Sequence, residues 1–203
     1  MKRNRRFTSL VNLIAVALIY TAVTQLLLSR GNRSLEALLI QMCYNIIMVT
    51  SLNLVTGVLG ELTLGHAGFM SVGAYVSAIL TTQVLPQNNP LLFPVAMIAG
   101  GLAAALIGYL ISIPAFRLRG DYLAIITLGF GEIIRVLITT VFAPWTGGGR
   151  KMFGITLYTN FSLSYWTMAL VVTLLFMLAW SRHGRAIIAI RENEVAADAA
   201  GIP

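Results

Sequence analysis

The sequence predicts an all-α protein, a polytopic transmembrane helical bundle, and three observations predict it. Of the 203 residues, 58% are hydrophobic and only 10% are charged, with a mean hydropathy of +0.83, which leaves too little polar surface to cover a water-soluble domain. The apolar residues fall in six long runs, at 8–28, 35–59, 67–85, 91–113, 121–142 and 163–180, close to the roughly 20 residues of helix that cross about 30 Å of hydrocarbon. The basic residues behind the formal charge of +7 sit in short clusters between those runs, the pattern of membrane orientation and not of a nucleic-acid-binding face. Lipid offers the backbone no hydrogen bonds, so each run must be helical or shielded by other protein. The chain therefore reads as a single transmembrane domain over 1–203, with 181–203 leaving the membrane as a loop.

The first run follows Lys2, Arg3, Arg5 and Arg6. It is too long for the apolar core of a cleaved secretory signal, and Leu28, Ser29 and Arg30 make a poor cleavage site, so it is expected to stay as a signal anchor. With the N-terminus inside, Lys2, Arg3, Arg5, Arg6, Arg117, Arg119, Arg182, Arg185 and Arg191 lie in the cytoplasm, against Arg30, Arg33, Arg150 and Lys151 outside. Nine against four predicts a cytoplasmic N-terminus, with the C-terminal loop on the same side. Cys43, the one cysteine, lies inside the second run, so no intramolecular disulfide or cysteine-based metal framework is expected.

Between the second and third runs, Gly57, Gly60, Gly65, Gly68 and Gly73 interrupt an otherwise apolar stretch whose ionisable groups are Glu61 and His66. Such a connection suggests a broken or re-entrant segment whose freed backbone groups line a cavity shielded from lipid. Asn53, Glu61 and His66 are accordingly candidates to line a solute path. Equally open is a packing role for the glycines, with Glu61 and His66 hydrated at the interface. In the fourth run Gly100, Ala104 and Gly108, with Gly101 and Ala105 on a neighbouring line, predict close approach of another helix.

Glu132 lies eleven residues after Asp121, about 16 Å along a helix and so near the bilayer middle. Charges there usually face a bundle interior or a watery cavity. Arg135, three residues on, shares a face with Glu132. The pair suits either an ion pair that fixes helix orientation or a path that meets the charged ends of a zwitterionic solute. Gly129 and Gly131 are placed to soften the helix just before it. After the sixth run, Ile187, Ile188 and Ile190 precede Arg191, Glu192, Glu194 and Asp198, with Gly201 and Pro203 closing the pattern. This reads as a short cytoplasmic helix lying near the membrane surface.

Three blocks, residues 52–75, 120–135 and 184–202, together resemble the M-type (LivM) permease family of branched-chain amino acid ABC importers. The resemblance extends from about residue 40 to the C-terminus. Thr146, Gly147 and Gly148 are similar to a Thr-Gly-Gly element of that family, although Arg150, Lys151 and Met152 continue it unusually. The last block resembles the loop that couples such permeases to their ATPases, which implies coupling roles for Arg185, Arg191, Glu194, Ala196, Ala197 and Gly201. Val195, between Glu194 and Ala196, departs from the general motif.

The resemblance implies a membrane-spanning subunit that translocates branched-chain or related small amino acids, urea or short amides, with selection resting largely on a binding protein. It further implies an H-type permease partner, two cytoplasmic ATPase subunits, an extracytoplasmic solute-binding protein and a bacterial inner-membrane location. No cofactor is expected, ATP being bound by the partner subunits. Consistently, residues 147–151 lack the spacing and context of a phosphate-binding loop. Family members continue beyond the coupling loop into further transmembrane helices, so a chain ending at Pro203 is expected to be C-terminally truncated. A membrane-embedded enzyme is disfavoured, because His66 and His183 have no evident nucleophile or metal partner. An ATP-independent channel or secondary transporter would suit the broken helix and midplane charges equally well; the coupling-loop resemblance alone separates the readings.

Overall fold

A computed structural model describes residues 16–25, 33–84, 92–115, 118, 120–148, 152 and 159–201, and among them every regular element is a helix. Five helices are long and apolar enough to cross a membrane: Arg33–Leu59, His66–Val84, Phe93–Ala115, Asp121–Val141 and Phe161–Ala179. They match the second to sixth expected runs within a few residues and are called the second to sixth spans accordingly. Of the first run, the described part is a shorter helix, α1, over Val16–Gln25; residues 8–15 and 26–28 lie outside the described residues, as do the cations of the N-terminus and Arg30, Arg117, Arg119, Arg150 and Lys151.

We number the remaining helices α2 (Arg33–Asn53), α3 (His66–Ile79), α4 (Phe93–Ala115), α5 (Asp121–Val136), α6 (Ala143–Thr146), α7 (Phe161–Ala179), α8 (Arg182–Glu192) and α9 (Glu194–Ala199). Three spans end in wider π-helical turns, at Leu54–Leu59 after α2, Leu80–Val84 after α3 and Leu137–Val141 after α5. Short hydroxyl side chains inside the spans bond back to carbonyls three or four residues earlier, as Thr50 does to Ile46 at 2.6 Å and Thr173 to Ala169 at 2.6 Å. This satisfies them within their own helix, as an apolar surrounding requires.

The helices form two packing groups. In one, Cys43 of α2 packs against Phe161 and Tyr165 of α7, with Val16 and Tyr20 of α1 closing the cluster. Tyr165 donates to the Val16 carbonyl at 2.8 Å, and the Tyr20 and Ser162 hydroxyls bond at 2.5 Å. In the other, Val72 of α3 packs with Ile134 and Ile138 of the fifth span and with Ala104 and Ile107 of α4. The contact of α3 with α4 depends on small residues: a Cβ added at Gly100 would lie 2.5 Å from the Gly73 carbonyl oxygen. The line Gly100, Ala104 and Gly108 thus faces α3, as the spacing predicts, whereas a Cβ at Gly101 would meet open space.

Two sequence expectations gain detail. Among the described residues the glycine-broken connection is a six-residue link, 60–65, between two helices of membrane length. The segment after the last span is two helices rather than one, because Asn193 is extended (φ −162°, ψ 105°) and its side chain accepts from the Ala196 N–H at 3.0 Å. Asn is a favoured N-cap for that reason, and it restarts the helix at Glu194, whose side chain lies outside the described part.

Candidate functional site

At one end of the bundle the link 60–65 brings α2, α3, α5 and α8 together. The last turn of the second span widens so that the Gly60 and Glu61 N–H groups both reach the Val55 carbonyl, at 3.0 and 3.3 Å. Gly60 then takes φ +86°, a left-handed conformation that glycine adopts without a Cβ clash, and the chain leaves the helix. Glu61 is half-buried at this bend. Further along, the Leu64 N–H donates to Thr127 Oγ1 of α5 at 3.1 Å. Gly65 and Gly68 make that approach possible: a Cβ on Gly65 would lie 2.5 Å from the Thr127 carbonyl oxygen, and one on Gly68 would lie 2.9 Å from Gly131 Cα.

His66 opens α3, half-buried, and its Nε2 lies 2.7 Å from Ser51 Oγ of α2. That hydrogen bond joins the two packing groups across the link. Asn53 is exposed on α2 and folds over its own helix; a Cβ at Gly57 would lie 2.3 Å from Asn53 Oδ1. Of the five candidate path residues, Asn53, Glu61 and His66 therefore gather around the end of α2 and the link.

Glu132 and Arg135 stand apart from that cluster. The guanidinium donates to both carboxylate oxygens, through Nε at 3.0 and 2.9 Å and through a short contact from Nη2 to Oε1. The side chains are 57% and 66% exposed, so the pair points away from α3 and α4. Gly129 lies on the same open face, since a Cβ there would meet nothing, while Gly131 packs toward Gly65. The two glycines thus serve opposite faces of α5: one side packs on the link, and the other presents an ion pair within a membrane-length helix. A charge pair so placed requires a cover of protein or water in preference to lipid.

The C-terminal helices attach to this end of the bundle. Ser181 caps α8 by accepting from the Gly184 N–H at 3.2 Å, and Arg185 donates to the Trp180 carbonyl at 3.2 Å. The corner between α7 and α8 is so tight that a Cβ on Gly184 would lie 2.0 Å from the Ala179 carbonyl oxygen. At the far end of α8, Arg191 Nη1 donates to the Gly57 carbonyl at 2.8 Å, and its Nη2 to Glu192 at 2.5 Å. In α9, Ala197 is buried and Ala196 is exposed. Gly201 follows with φ +76° and open space around it.

At the opposite end, Thr146 Oγ1 lies 2.8 Å from the Ile138 carbonyl and 2.9 Å from that of Phe142, and it accepts from the Gly148 N–H at 3.3 Å. The Thr146 and Gly147 turn thus closes the fifth span. Beside it a cavity of about 340 Å³ opens between α3, α4, the end of the fifth span and α6, lined by Val72, Tyr75, Ile79, Ile107, Ile138 and Trp145. Among the described residues no group of three or more His, Cys, Asp or Glu side chains could hold a metal ion.

Sequence reasoning missed Ser51 and Thr127. Each is one hydroxyl among many in an apolar helix, and only the fold distinguishes a Thr that reaches another segment from one that merely bonds back to its own turn.

Comparison with known proteins adds the relatives. Residues 34–203 match the family described as branched-chain amino acid transport system / permease component. The chain is 41% identical over 154 residues to the high-affinity branched-chain amino acid transport system permease protein LivM of Escherichia coli (strain K12), covering 75% of this chain and 34% of that protein. It is 40% identical over 154 residues to the protein of the same name from Salmonella typhimurium (strain LT2), again covering 75% of this chain and 34% of the relative. The chain thus spans about a third of the length of the curated relatives it matches. No solved structure matches it significantly.

Proposed function

Because the chain belongs to the branched-chain amino acid transport permease family, we propose that it forms part of the membrane-spanning subunit of an ABC importer for branched-chain or related small amino acids. The observation that carries this reading is the family match over residues 34–203, which takes in both the spans and the cytoplasmic helices. In this reading the protein sits in a bacterial inner membrane with its N-terminus in the cytoplasm. It pairs with a second, H-type permease and receives solute from an extracytoplasmic binding protein. Two ATPase subunits bind and hydrolyse the ATP, and this chain carries no ATPase site or cofactor of its own.

The geometry supports a division of labour. The α8 and α9 surface, with Arg185, Glu194, Ala196 and Gly201, is the docking surface for an ATPase subunit, and Ala197, buried beneath it, holds α9 in place. The open face of α5 supports a path role for Glu132 and Arg135, because a salt bridge inside a span is costly against lipid and suits a watery cavity or a permease interface. Asn53, Glu61 and His66, around the link on the opposite side of α5, are a second set of path residues, at the cytoplasmic end of the subunit.

The test is reconstitution of the full-length protein with its partner permease and ATPases, followed by uptake of radiolabelled leucine and urea with and without ATP. ATP-dependent uptake that requires the binding protein is expected. Uptake that proceeds without ATP, from a protein that retains no ATPase subunit on purification, would replace this reading with an ATP-independent channel or carrier.

A further inference from the structure

We propose that Arg191 is a positioning residue that carries movement of α8 and α9 into the link 60–65, acting as a cap on the end of the second span rather than as a contact for the ATPase. The proposal rests on the permease reading above and assigns a route inside the subunit for the motion that reading requires.

Three contacts define the role. The Gly57 carbonyl lies in the last turn of a helix, where carbonyls have no donor further along their own helix. Arg191, 134 residues away in sequence, supplies one at 2.8 Å, and its positive charge suits the negative end of the helix dipole. The aliphatic stem of the same residue occupies the space where Gly60 lacks a side chain: a Cβ there would lie 2.7 Å from Arg191 Cγ and 2.8 Å from its Cδ. The second arm of the guanidinium is held by Glu192 at 2.5 Å. A planar fork serves both partners at once, which a lysine ammonium at the end of a flexible stem would not.

The placement of α8 turns this cap into a mechanical connection. Its first turn is fixed to the end of α7 by Ser181, Gly184 and Arg185, and its last turn is fixed to the end of the second span by Arg191. An eleven-residue helix held at both ends cannot tilt without moving the last turn of that span or breaking the Arg191 bond. Four residues past Gly60 the Leu64 N–H is held by Thr127 of α5, and α5 carries Glu132 and Arg135 on its other face. Displacement of α9 by a docked partner therefore reaches α5 through Arg191, the link and Thr127, in that order.

The experiment uses the full-length transporter with its partner subunits in proteoliposomes, measuring ATP hydrolysis and radiolabelled leucine uptake on the same preparation. R191M keeps the stem and removes the donors; R191K keeps a charge but not the fork. With R191M, retention of the ATPase subunits and hydrolysis within about two-fold of wild type are expected while uptake falls about ten-fold, the scale of a lost coupling interaction. R191K should fall between the two. Unchanged uptake in R191M overturns the proposal. So does a parallel loss of uptake, hydrolysis and bound ATPase, which would make Arg191 a docking contact. Should R191M fail to accumulate in the membrane, the uptake-to-hydrolysis ratio of R191K decides: a wild-type ratio overturns the proposal and a lowered one supports it. A wild-type preparation without ATP-driven uptake would instead sink the permease reading itself, and that control is read before any variant.

Discussion

Ser51 of α2 and His66 of α3 are joined by a 2.7 Å hydrogen bond across the glycine-broken link, so the two packing groups of the bundle share a polar contact at the point where the backbone turns between them. Removing either partner should cost about 1 kcal/mol, the net worth of one such bond. In S51A, H66A and the double variant, unfolding followed in detergent should show the two losses overlapping, because the second change has no bond left to break. Full additivity would mean that the contact does not contribute to stability.

Thr127 presents a similar test on the other side of the link. Its hydroxyl accepts from the Leu64 N–H and bonds back to Ala124 at 3.0 Å. T127V keeps the shape but leaves the Leu64 N–H without its acceptor, at a cost of about 1–3 kcal/mol. T127S should recover most of it. Amide exchange at Leu64 should accelerate in T127V and stay near wild type in T127S; equal protection in both would show that the bond is not what holds the link.

Glycines of one helix separate by face. G100A would force a Cβ to within 2.5 Å of the Gly73 carbonyl, an overpacking expected to cost about 1–3 kcal/mol. G101A, one residue away with open space around it, should stay within about 0.5 kcal/mol of wild type. The comparison is made by thermal stability of the purified protein, and equal losses would place the α3 contact on the wrong face of α4.

Glu132 and Arg135 form their ion pair on an open face. Neutralising either, as E132Q or R135M, is expected to lower uptake about ten-fold, the scale of a lost contact to a charged group, with normal levels in the membrane. The exchanged pair E132R/R135E should restore membrane levels but not uptake. Recovery of both would assign the pair to helix orientation alone.

The spans were legible because apolar length is itself the physical requirement for crossing a bilayer, and five of the expected runs stand as membrane-length helices. The line of Gly100, Ala104 and Gly108 was legible for a similar reason, since small side chains at that spacing have one common use. The partner of Arg191 was not. It is a backbone carbonyl, a group that nearly every residue carries, so nothing in the sequence singles out Gly57. The break at Asn193 was obscured by good helix formers on both sides, and only its extended backbone exposes it as a cap. The direction of the Glu132 and Arg135 face likewise depends on which side of α5 the link occupies, a long-range contact that the periodicity of one helix does not contain.

Cys43 is 5% exposed within the cluster of Phe161 and Tyr165, and thiol labelling requires access to the sulfur. Over residues 1–203 the native thiol therefore leaves a quiet background for spectroscopic probes. Paired spin labels or fluorophores placed through introduced cysteines, one on the exposed side of α4 and one on α8, would report inter-helix distances during a transport cycle while the native thiol stays in place.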